Sequence, residues 1–153
     1  MITYKTGDLF TDDAQCLVNA VNCVSVMGAG IAKEFKRRLP EYFDAYVRYC
    51  KEGYLSKAGD AEDAMNDYWP GFPNLRYIIS AATKTHWRDK STLGDIERVL
   101  KSIAECIDDK DMVSVAMPAL GCGLGGLSWT DVQPLIEQEL GSVDCDIRVY
   151  LPQ

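Results

Sequence analysis

Histidine is almost absent from this chain, and its cysteines are not paired in the sequence. The 153 residues include one histidine, His86, and six cysteines that form no Cys-x-x-Cys pair. Because zinc sites usually need four closely spaced cysteine or histidine ligands, we predict no metal site, and we expect no cofactor. Cysteines inside apolar runs, such as Cys16, are typical of buried thiols in a reducing compartment. We therefore expect a cytoplasmic protein.

Long hydrophobic runs and an excess of positive charge are also missing. No apolar segment reaches membrane-spanning length, and the first residues lack the apolar core of a signal peptide, so we expect no membrane association. The formal net charge is −7, from 16 Lys and Arg against 23 Asp and Glu. This balance weakens any general attraction to nucleic acid. Contact with a polyanion must be local, and we expect weak affinity for unmodified DNA.

The length and the apolar spacing predict one α/β domain over residues 1–153, which we expect to be a monomer. Apolar residues alternate between the strand period and the helix period, as in α/β domains. The predicted strands are Ile2–Thr6, Cys16–Asn22, Arg76–Ala82, Met112–Met117 and Asp146–Leu151, and Ala58–Asn74 is compatible with a further short strand. The predicted helices begin at Gly28–Gly30, at Pro40, after a Thr92 cap and after a Ser128 cap.

Two glycine-rich loops each lie between a predicted strand and a predicted helix. They are Asn22–Ile31 and Gly121–Gly126. Glycine permits close approach of the backbone to a ligand, and helix-start amides attract anions. A tight turn explains either loop alone, but two loops at neighbouring strand ends favour a diphosphate crevice. We reject a nicotinamide dinucleotide, although the second loop spells GxGxxG, because the acidic residue that this motif requires would fall near Asp144, at the chain's end.

Two asparagines interrupt the apolar strand before the first glycine loop. Asn19 and Asn22 are three residues apart, so in a strand they are predicted to point to opposite faces. A buried asparagine often only holds adjacent backbone through hydrogen bonds. We therefore assign one asparagine to the scaffold and the other, Asn22 beside the loop, to the ligand.

Four segments together resemble the macrodomain, the ADP-ribose-binding fold. They are Gly7-Asp8-Leu9, Val18–Cys23, Met27–Ala32 and Pro118–Gly126, which follow the family's order over essentially the whole chain. The resemblance implies a three-layer α/β/α fold around a mixed, largely parallel central sheet. The segment Arg76–Arg88, with Thr-Lys followed closely by His-Trp-Arg, is similar to the branch that holds the DNA ADP-ribosyl glycohydrolase antitoxins (DarG type) and the terminal ADP-ribose protein glycohydrolase.

The resemblance also implies which residues bind ADP-ribose. Asp8 and Leu9 would contact the adenine, and Asn22 would hydrogen-bond the distal ribose. The backbones of the two glycine loops would hold that ribose and the diphosphate. The loop residues implied are Met27, Gly28, Gly30, Ile31, Gly121, Cys122, Gly123, Leu124, Gly125 and Gly126.

A catalytic lysine, Lys84, follows from the same resemblance, which places it against the distal ribose. A neutral amine could attack the anomeric carbon or the opened sugar, whereas an ammonium could stabilise the leaving group or the oxocarbenium. Apart from the resemblance, a solvated surface lysine is the commoner interpretation. His86 is compatible with a proton shuttle, but a packed scaffold role is more common. A thiol nucleophile at Cys122 assisted by His86 is a weaker alternative.

Gly125 is a departure that bears on the substrate. The protein-directed glycohydrolase of this branch has an aspartate at that place, so glycine favours a DNA adduct of the thymidine type. The alternatives are hydrolysis of Glu/Asp-linked ADP-ribosyl protein, O-acetyl-ADP-ribose or ADP-ribose 1″-phosphate, and non-catalytic reading of ADP-ribose. The implied partners are an ADP-ribosylated macromolecule and a cognate ADP-ribosyltransferase toxin. Candidates for a weak local DNA contact are Lys33, Lys36, Arg37, Arg38 and Arg88.

Overall fold

Six strands and four helices make up the computed structural model, which describes residues 1–153. The strands are β1 Ile2–Lys5, β2 Cys16–Val21, β3 Ala61–Met65, β4 Tyr77–Ala82, β5 Ser114–Pro118 and β6 Asp146–Tyr150. The helices are α1 Gly30–Arg38, α2 Pro40–Lys51, α3 Leu93–Asp109 and α4 Trp129–Leu140, and a 3₁₀ turn spans Leu9–Thr11. Each predicted strand and helix is present with small boundary shifts, and β3 lies in the stretch that was compatible with a further strand.

The strands form one sheet in the order β1-β6-β5-β2-β4-β3. All pairs are parallel except β3 with β4. This confirms the mixed, largely parallel sheet. Because β2 and β5 are adjacent and parallel, the loops that follow them begin at the same edge of the sheet. The two glycine loops are therefore neighbours, as predicted.

Alternate residues of the strands serve two separate cores, one on each face of the sheet. Leu17 and Val21 of β2 pack with α1 and α2, while Cys16 and Val18 pack with α3 and α4. All six residues of β4 are buried, which is expected of a parallel strand covered on both faces. Full burial of a large apolar side chain contributes roughly 1.5–3 kcal/mol, so the two cores hold the three layers together.

The two predicted helix caps have different outcomes. Thr92 Oγ1 accepts from the Asp95 amide at 3.1 Å, which confirms the first cap. The side-chain cap at Ser128 is wrong, because its hydroxyl lies 2.8 Å from Thr130 Oγ1 and makes no cap bond. None of the helices combines the length and the apolar character that a membrane crossing needs.

Candidate functional site

A cleft of about 1170 Å³ opens at the carboxyl ends of the parallel strands. Each parallel strand contributes lining residues just beyond its last residue or at it, namely Gly7, Asn22, Thr83, Ala119 and Leu151. Ligand sites in open α/β sheets usually lie at this edge. The volume exceeds that of most drug-sized pockets, so the cleft suits a long ligand.

The first glycine loop forms one wall of the cleft with unpaired backbone donors. At the start of α1, the amides of Gly30, Ile31 and Ala32 have no protein acceptor, and Ala29 provides no side-chain cap. Gly30 has φ +59°, a left-handed conformation that favours glycine. A helix start with free amides attracts an anion.

The second glycine loop forms a facing wall with the same property. The amides of Gly123, Leu124 and Gly125 have no protein acceptor. The loop is closed by a bond from the Leu127 amide to the Gly121 carbonyl (2.9 Å). All six free amides belong to residues that line the cleft, so the two loops can hold a diphosphate between them.

Two of the residues predicted to bind the ligand do not line the cleft. Met27 is 2% exposed and packs in the core beside α1 and α2, where its sulfur lies 3.7 Å from Asn19 Nδ2. The Gly126 amide donates to the Gly123 carbonyl (3.2 Å), so this glycine closes a turn. Both residues therefore support the loops without lining the cleft.

The prediction that Asn19 and Asn22 point to opposite faces is wrong. Asn19 Nδ2 donates to Tyr42 Oη (3.1 Å), and Tyr46 Oη lies 2.9 Å from both oxygens of Asn22. The two tyrosines are one turn apart on α2, so both asparagines meet the same helix. Because β2 ends at Val21, strand alternation no longer applies to Asn22.

Asn22 lines the cleft, and its amide group also holds the first glycine loop. Its Oδ1 accepts from the amides of Val24 (3.0 Å) and Val26 (3.5 Å), and Nδ2 donates to the Val26 carbonyl (2.8 Å). One side-chain N–H remains for a ligand. Burial raises the pKa of Tyr46 far above its usual value, so the hydroxyl stays protonated and can donate to Asn22.

Asp8 and Leu9 lie together at one end of the cleft. Asp8 Oδ1 accepts from the Phe10 amide (2.9 Å) and so begins the 3₁₀ turn. Its other oxygen lies 3.9 Å from Arg38 Nη2, and the Arg38 guanidinium lies 4.6 Å from the Phe10 ring centre. One carboxylate oxygen beside aromatic and cationic groups is suited to an adenine amine.

Lys84 lies between the two glycine loops. Its Nζ donates to the Leu124 carbonyl at 3.4 Å, its one hydrogen bond within the chain. The preceding residue is bonded to the sheet, with the Thr83 amide donating to the Val21 carbonyl (3.0 Å). The following residue is bonded to the first loop, with the Cys23 amide donating to the Thr85 carbonyl (2.9 Å). The amine is therefore held in the cleft.

The geometry disfavours the alternative roles of His86 and Cys122. His86 does not line the cleft, and its Nδ1 accepts from the Arg88 amide (3.1 Å). Cys122 Sγ contacts the Leu120 carbonyl (3.8 Å) and no histidine. Burial raises the pKa of the Cys122 thiol, which disfavours the nucleophilic thiolate. No group of three or more His, Cys, Asp or Glu side chains is arranged to hold a metal ion.

Gly125 has no room for a side chain. A Cβ there would lie 2.5 Å from Ser91 Oγ and 2.6 Å from the Gly121 carbonyl oxygen. The Ser91 amide also donates to the Gly125 carbonyl (3.2 Å), so this backbone is fixed from both sides. The loop as folded does not accommodate an aspartate at this position.

The cleft is less acidic than the chain as a whole. Its lining includes four cationic side chains, Arg38, Lys84, Arg88 and Lys90, and three acidic ones, Asp8, Glu34 and Asp89. Of the basic residues predicted to contact DNA, Arg38 and Arg88 line the cleft, and Lys33, Lys36 and Arg37 do not.

Sequence reasoning gave no role in the site to Tyr46 or Ser91, which support its loops, and used Trp87 only as part of a family motif, although it lines the cleft. Each acts through a partner distant in the chain or through exposure at the cleft. Apolar spacing carries no signal for either property.

Comparisons with known proteins agree on one family. A family model described as Macro domain matches residues 18–136. The DNA ADP-ribosyl glycohydrolase of Mycobacterium tuberculosis is 43% identical over 155 residues, which are 99% of this chain and 42% of that protein. The chain therefore spans less than half the length of this curated relative.

Solved structures support the same likeness. The macrodomain of Mycobacterium tuberculosis DarG has a TM-score of 0.92 at 41% identity, covering 100% of this chain and 99% of that chain. Thermosipho africanus DarTG in complex with ADP-ribose has a TM-score of 0.91 at 32% identity, covering 99% of this chain and 41% of that chain.

Proposed function

The chain belongs to the Macro domain family, and from that membership we propose that it is an ADP-ribosyl glycohydrolase that removes ADP-ribose from modified DNA, with thymidine-type adducts favoured. Relatives named DNA ADP-ribosyl glycohydrolase support the reaction, and the Thermosipho africanus structure contains ADP-ribose. This chain spans only part of those relatives, so the residues of its own cleft must also support the reaction.

The cleft supports ADP-ribose as the ligand along its whole length. Asp8 Oδ2, which lies 3.9 Å from Arg38, can accept from the adenine amine, and Leu9 can pack against the ring. The six unpaired amides of the two loops can bind the diphosphate. The remaining N–H of Asn22 can donate to the distal ribose.

The observation that carries the enzymatic proposal is the position of Lys84. Its Nζ is held 3.4 Å from the Leu124 carbonyl, between the loops that would hold the distal ribose. Simple binding of ADP-ribose needs the loops and the adenine contacts but no lysine there. In one route the neutral amine attacks the anomeric carbon, the glycosidic bond breaks, the base leaves and takes up a proton, and water then hydrolyses the lysine adduct. In the other the ammonium stabilises developing charge.

The crowding at Gly125 supports DNA over acyl-linked substrates. The branch of the family that acts on protein has an aspartate at this place, and here a Cβ would lie 2.6 Å from the Gly121 carbonyl oxygen. The second loop of this chain therefore supplies no carboxylate that could activate water to hydrolyse an acyl-linked ADP-ribose.

We also propose a partner and a cellular compartment for this chain. A relative from Thermosipho africanus, 33% identical, is named a DNA ADP-ribosyl transferase-DNA ADP-ribosyl glycohydrolase fusion protein. This name supports an ADP-ribosyltransferase toxin as the partner whose modification the chain reverses. Six free cysteines support a reducing cytoplasm.

Replacement of Lys84 by alanine tests the activity. ADP-ribosylated single-stranded DNA, Glu-linked ADP-ribosyl protein and ADP-ribose 1″-phosphate are each offered to wild type, Lys84→Ala and Lys51→Ala, and released product is measured by chromatography. We expect release from DNA to fall at least about a hundredfold in Lys84→Ala. Lys51, an exposed lysine at the end of α2 outside the cleft, is the matched control, and its replacement should change nothing.

The outcomes separate the candidate functions. Calorimetry should give similar ADP-ribose affinity for both variants and wild type. Equal release by Lys84→Ala on every substrate contradicts the catalytic assignment, and ADP-ribose binding without any release indicates a reader. Borohydride added during turnover would reduce an imine between Lys84 and the opened sugar, and a mass shift on that peptide would favour the covalent route.

A further inference from the structure

A half-exposed tryptophan lines the same cleft as the proposed catalytic lysine. Trp87 is 49% exposed, although it is one of the largest apolar side chains in the chain. It lies in a turn closed by three hydrogen bonds: Asp89 amide to His86 carbonyl (3.0 Å), His86 amide to Asp89 Oδ2 (2.9 Å), and Arg88 amide to His86 Nδ1 (3.1 Å). The exposure of the indole is therefore built into an ordered turn.

The turn is bonded on both sides to the glycine loops. Before it, the Thr85 carbonyl accepts from the Cys23 amide, and after it, the Ser91 amide donates to the Gly125 carbonyl. Trp87 lines the same cleft as Lys84. The turn that carries the indole is thus bonded to both glycine loops of the cleft that holds Lys84.

Two side chains of the same turn, His86 and Arg88, lie near the indole, and the His86 and Trp87 ring centres are 5.2 Å apart. The Arg88 guanidinium lies 4.8 Å from the Trp87 ring centre, and neither Arg88 nor Lys90 takes part in an ion pair. Val26 and Leu124, 40% and 70% exposed, line the same cleft. In a chain of net charge −7, this is a local site for an anion next to an aromatic face.

We propose that Trp87, Arg88 and Lys90, here called the Trp87 platform, bind the DNA strand next to the modified nucleotide. The indole stacks on the neighbouring unpaired base, and the two cations contact its phosphates. This inference rests on the proposed function and adds the element that recognises the strand. Proteins that hold single strands combine aromatic stacking with cationic contacts in this way.

The chemistry favours a nucleobase over an acidic peptide. A peptide carboxylate would pair with Arg88 or Lys90 but would not stack on the exposed part of the indole, whereas a planar base would. In duplex DNA both faces of a base are covered by the neighbouring stacked bases, so duplex DNA fits the platform poorly. The expected preference is for a single strand, and it should depend on Trp87.

Kinetics with matched substrates test the platform. The substrates are a single strand with one ADP-ribosylated thymidine, the same strand annealed to its complement, and the ADP-ribosylated nucleoside alone. Wild type, Trp87→Ala, Trp87→Phe and Tyr68→Ala are compared, where Tyr68 is an exposed aromatic outside the cleft. We expect Trp87→Ala to raise KM for the single strand about tenfold, about 1.4 kcal/mol, with kcat little changed.

The other variants and substrates distinguish a loss of strand binding from a general disruption of the site. Trp87→Phe should recover most of the loss, Tyr68→Ala should match wild type, and all variants should bind ADP-ribose and cleave the nucleoside equally. Unchanged KM for the single strand in Trp87→Ala overturns the platform, and so does an equal loss on the nucleoside. If wild type binds ADP-ribose but cleaves no DNA adduct, the proposed function fails and the platform fails with it.

Discussion

At the scale of single residues, two neighbouring glycines of the second loop have opposite tolerance for a side chain. A Cβ at Gly125 would lie 2.5 Å from Ser91 Oγ and 2.6 Å from a backbone oxygen, whereas a Cβ at Gly123 meets nothing within 4 Å. Backbone cannot rotate away as a flexible side chain can. Gly125 is thus required for packing, and Gly123 is not.

This difference gives a prediction with its own control. Gly125→Ala should lower the free energy of unfolding by about 1–3 kcal/mol, because the loop must shift to relieve the overlap. It should also weaken ADP-ribose binding, because the free amides of Gly123–Gly125 move with the loop. Gly123→Ala should keep the stability of wild type. Chemical denaturation and calorimetry measure both effects, and equal stability of the two variants would contradict the argument.

At the scale of elements, helix α2 supports the cleft through two tyrosines one turn apart. Tyr46 Oη lies 2.9 Å from both oxygens of Asn22, which holds the first glycine loop. Tyr42 Oη contacts Asn19 Nδ2 and Ser80 Oγ, deep between the helix and the sheet. Tyr46 thus supports the site, and Tyr42 supports the core.

Removing each hydroxyl separates these two roles. Tyr42→Phe leaves the buried Asn19 amide with only the Met27 sulfur as a weak acceptor and should cost about 1–3 kcal/mol of unfolding free energy, with ADP-ribose affinity kept. Tyr46→Phe should cost about 1 kcal/mol and also weaken ADP-ribose binding several-fold, since Asn22 loses a donor that orients it. Calorimetry at a temperature where both variants are folded measures the ADP-ribose affinity of each. Equal affinity of the two variants would disprove the role of Tyr46.

At the scale of the whole molecule, a charged network joins the first and last strands to the 3₁₀ turn. The Asp12 side chain, fully buried, accepts from Arg148 Nη1 (2.6 Å), Tyr150 Oη (2.7 Å) and Lys5 Nζ (3.3 Å). Burial alone would raise the pKa of Asp12. The bonds from Tyr150, Arg148 and the Ala14 amide outweigh burial and lower that pKa below its usual value of 3.8.

The lowered pKa fixes the sign of the pH dependence. The Asp12 bonds stabilise the fold fully above pH 3.8, and this contribution is lost as the pH falls through the lower folded-state value. Asp12→Asn should lower the unfolding free energy by about 2 kcal/mol at pH 7, and the gap to wild type should narrow in strong acid. Asp67→Asn, in an exposed pair with Arg76, should leave the denaturation midpoint unchanged. A gap that stays constant with pH would refute the assignment.

The positions of the strands and helices, the two glycine loops and the likeness to the family follow from residue patterns alone. Strand and helix spacing is set by local geometry, so the buried runs and the Thr92 cap were predicted within a residue or two. The shared edge of the two loops followed from the α/β pattern, because parallel strands all end at one edge of the sheet. Strand, helix and turn patterns are properties of neighbours along the chain, whereas the pairing of β2 with β5 is a property of the fold.

The groups that meet in the cleft are known only from the folded chain. Asn22 bonds to Tyr46, 24 residues away, and Lys84 to Leu124, 40 residues away. The same holds for the inward position of Met27 and for the exposed Trp87. Hydrogen bonds and burial depend on distances between segments that the sheet brings together, and residue spacing contains no measure of those distances.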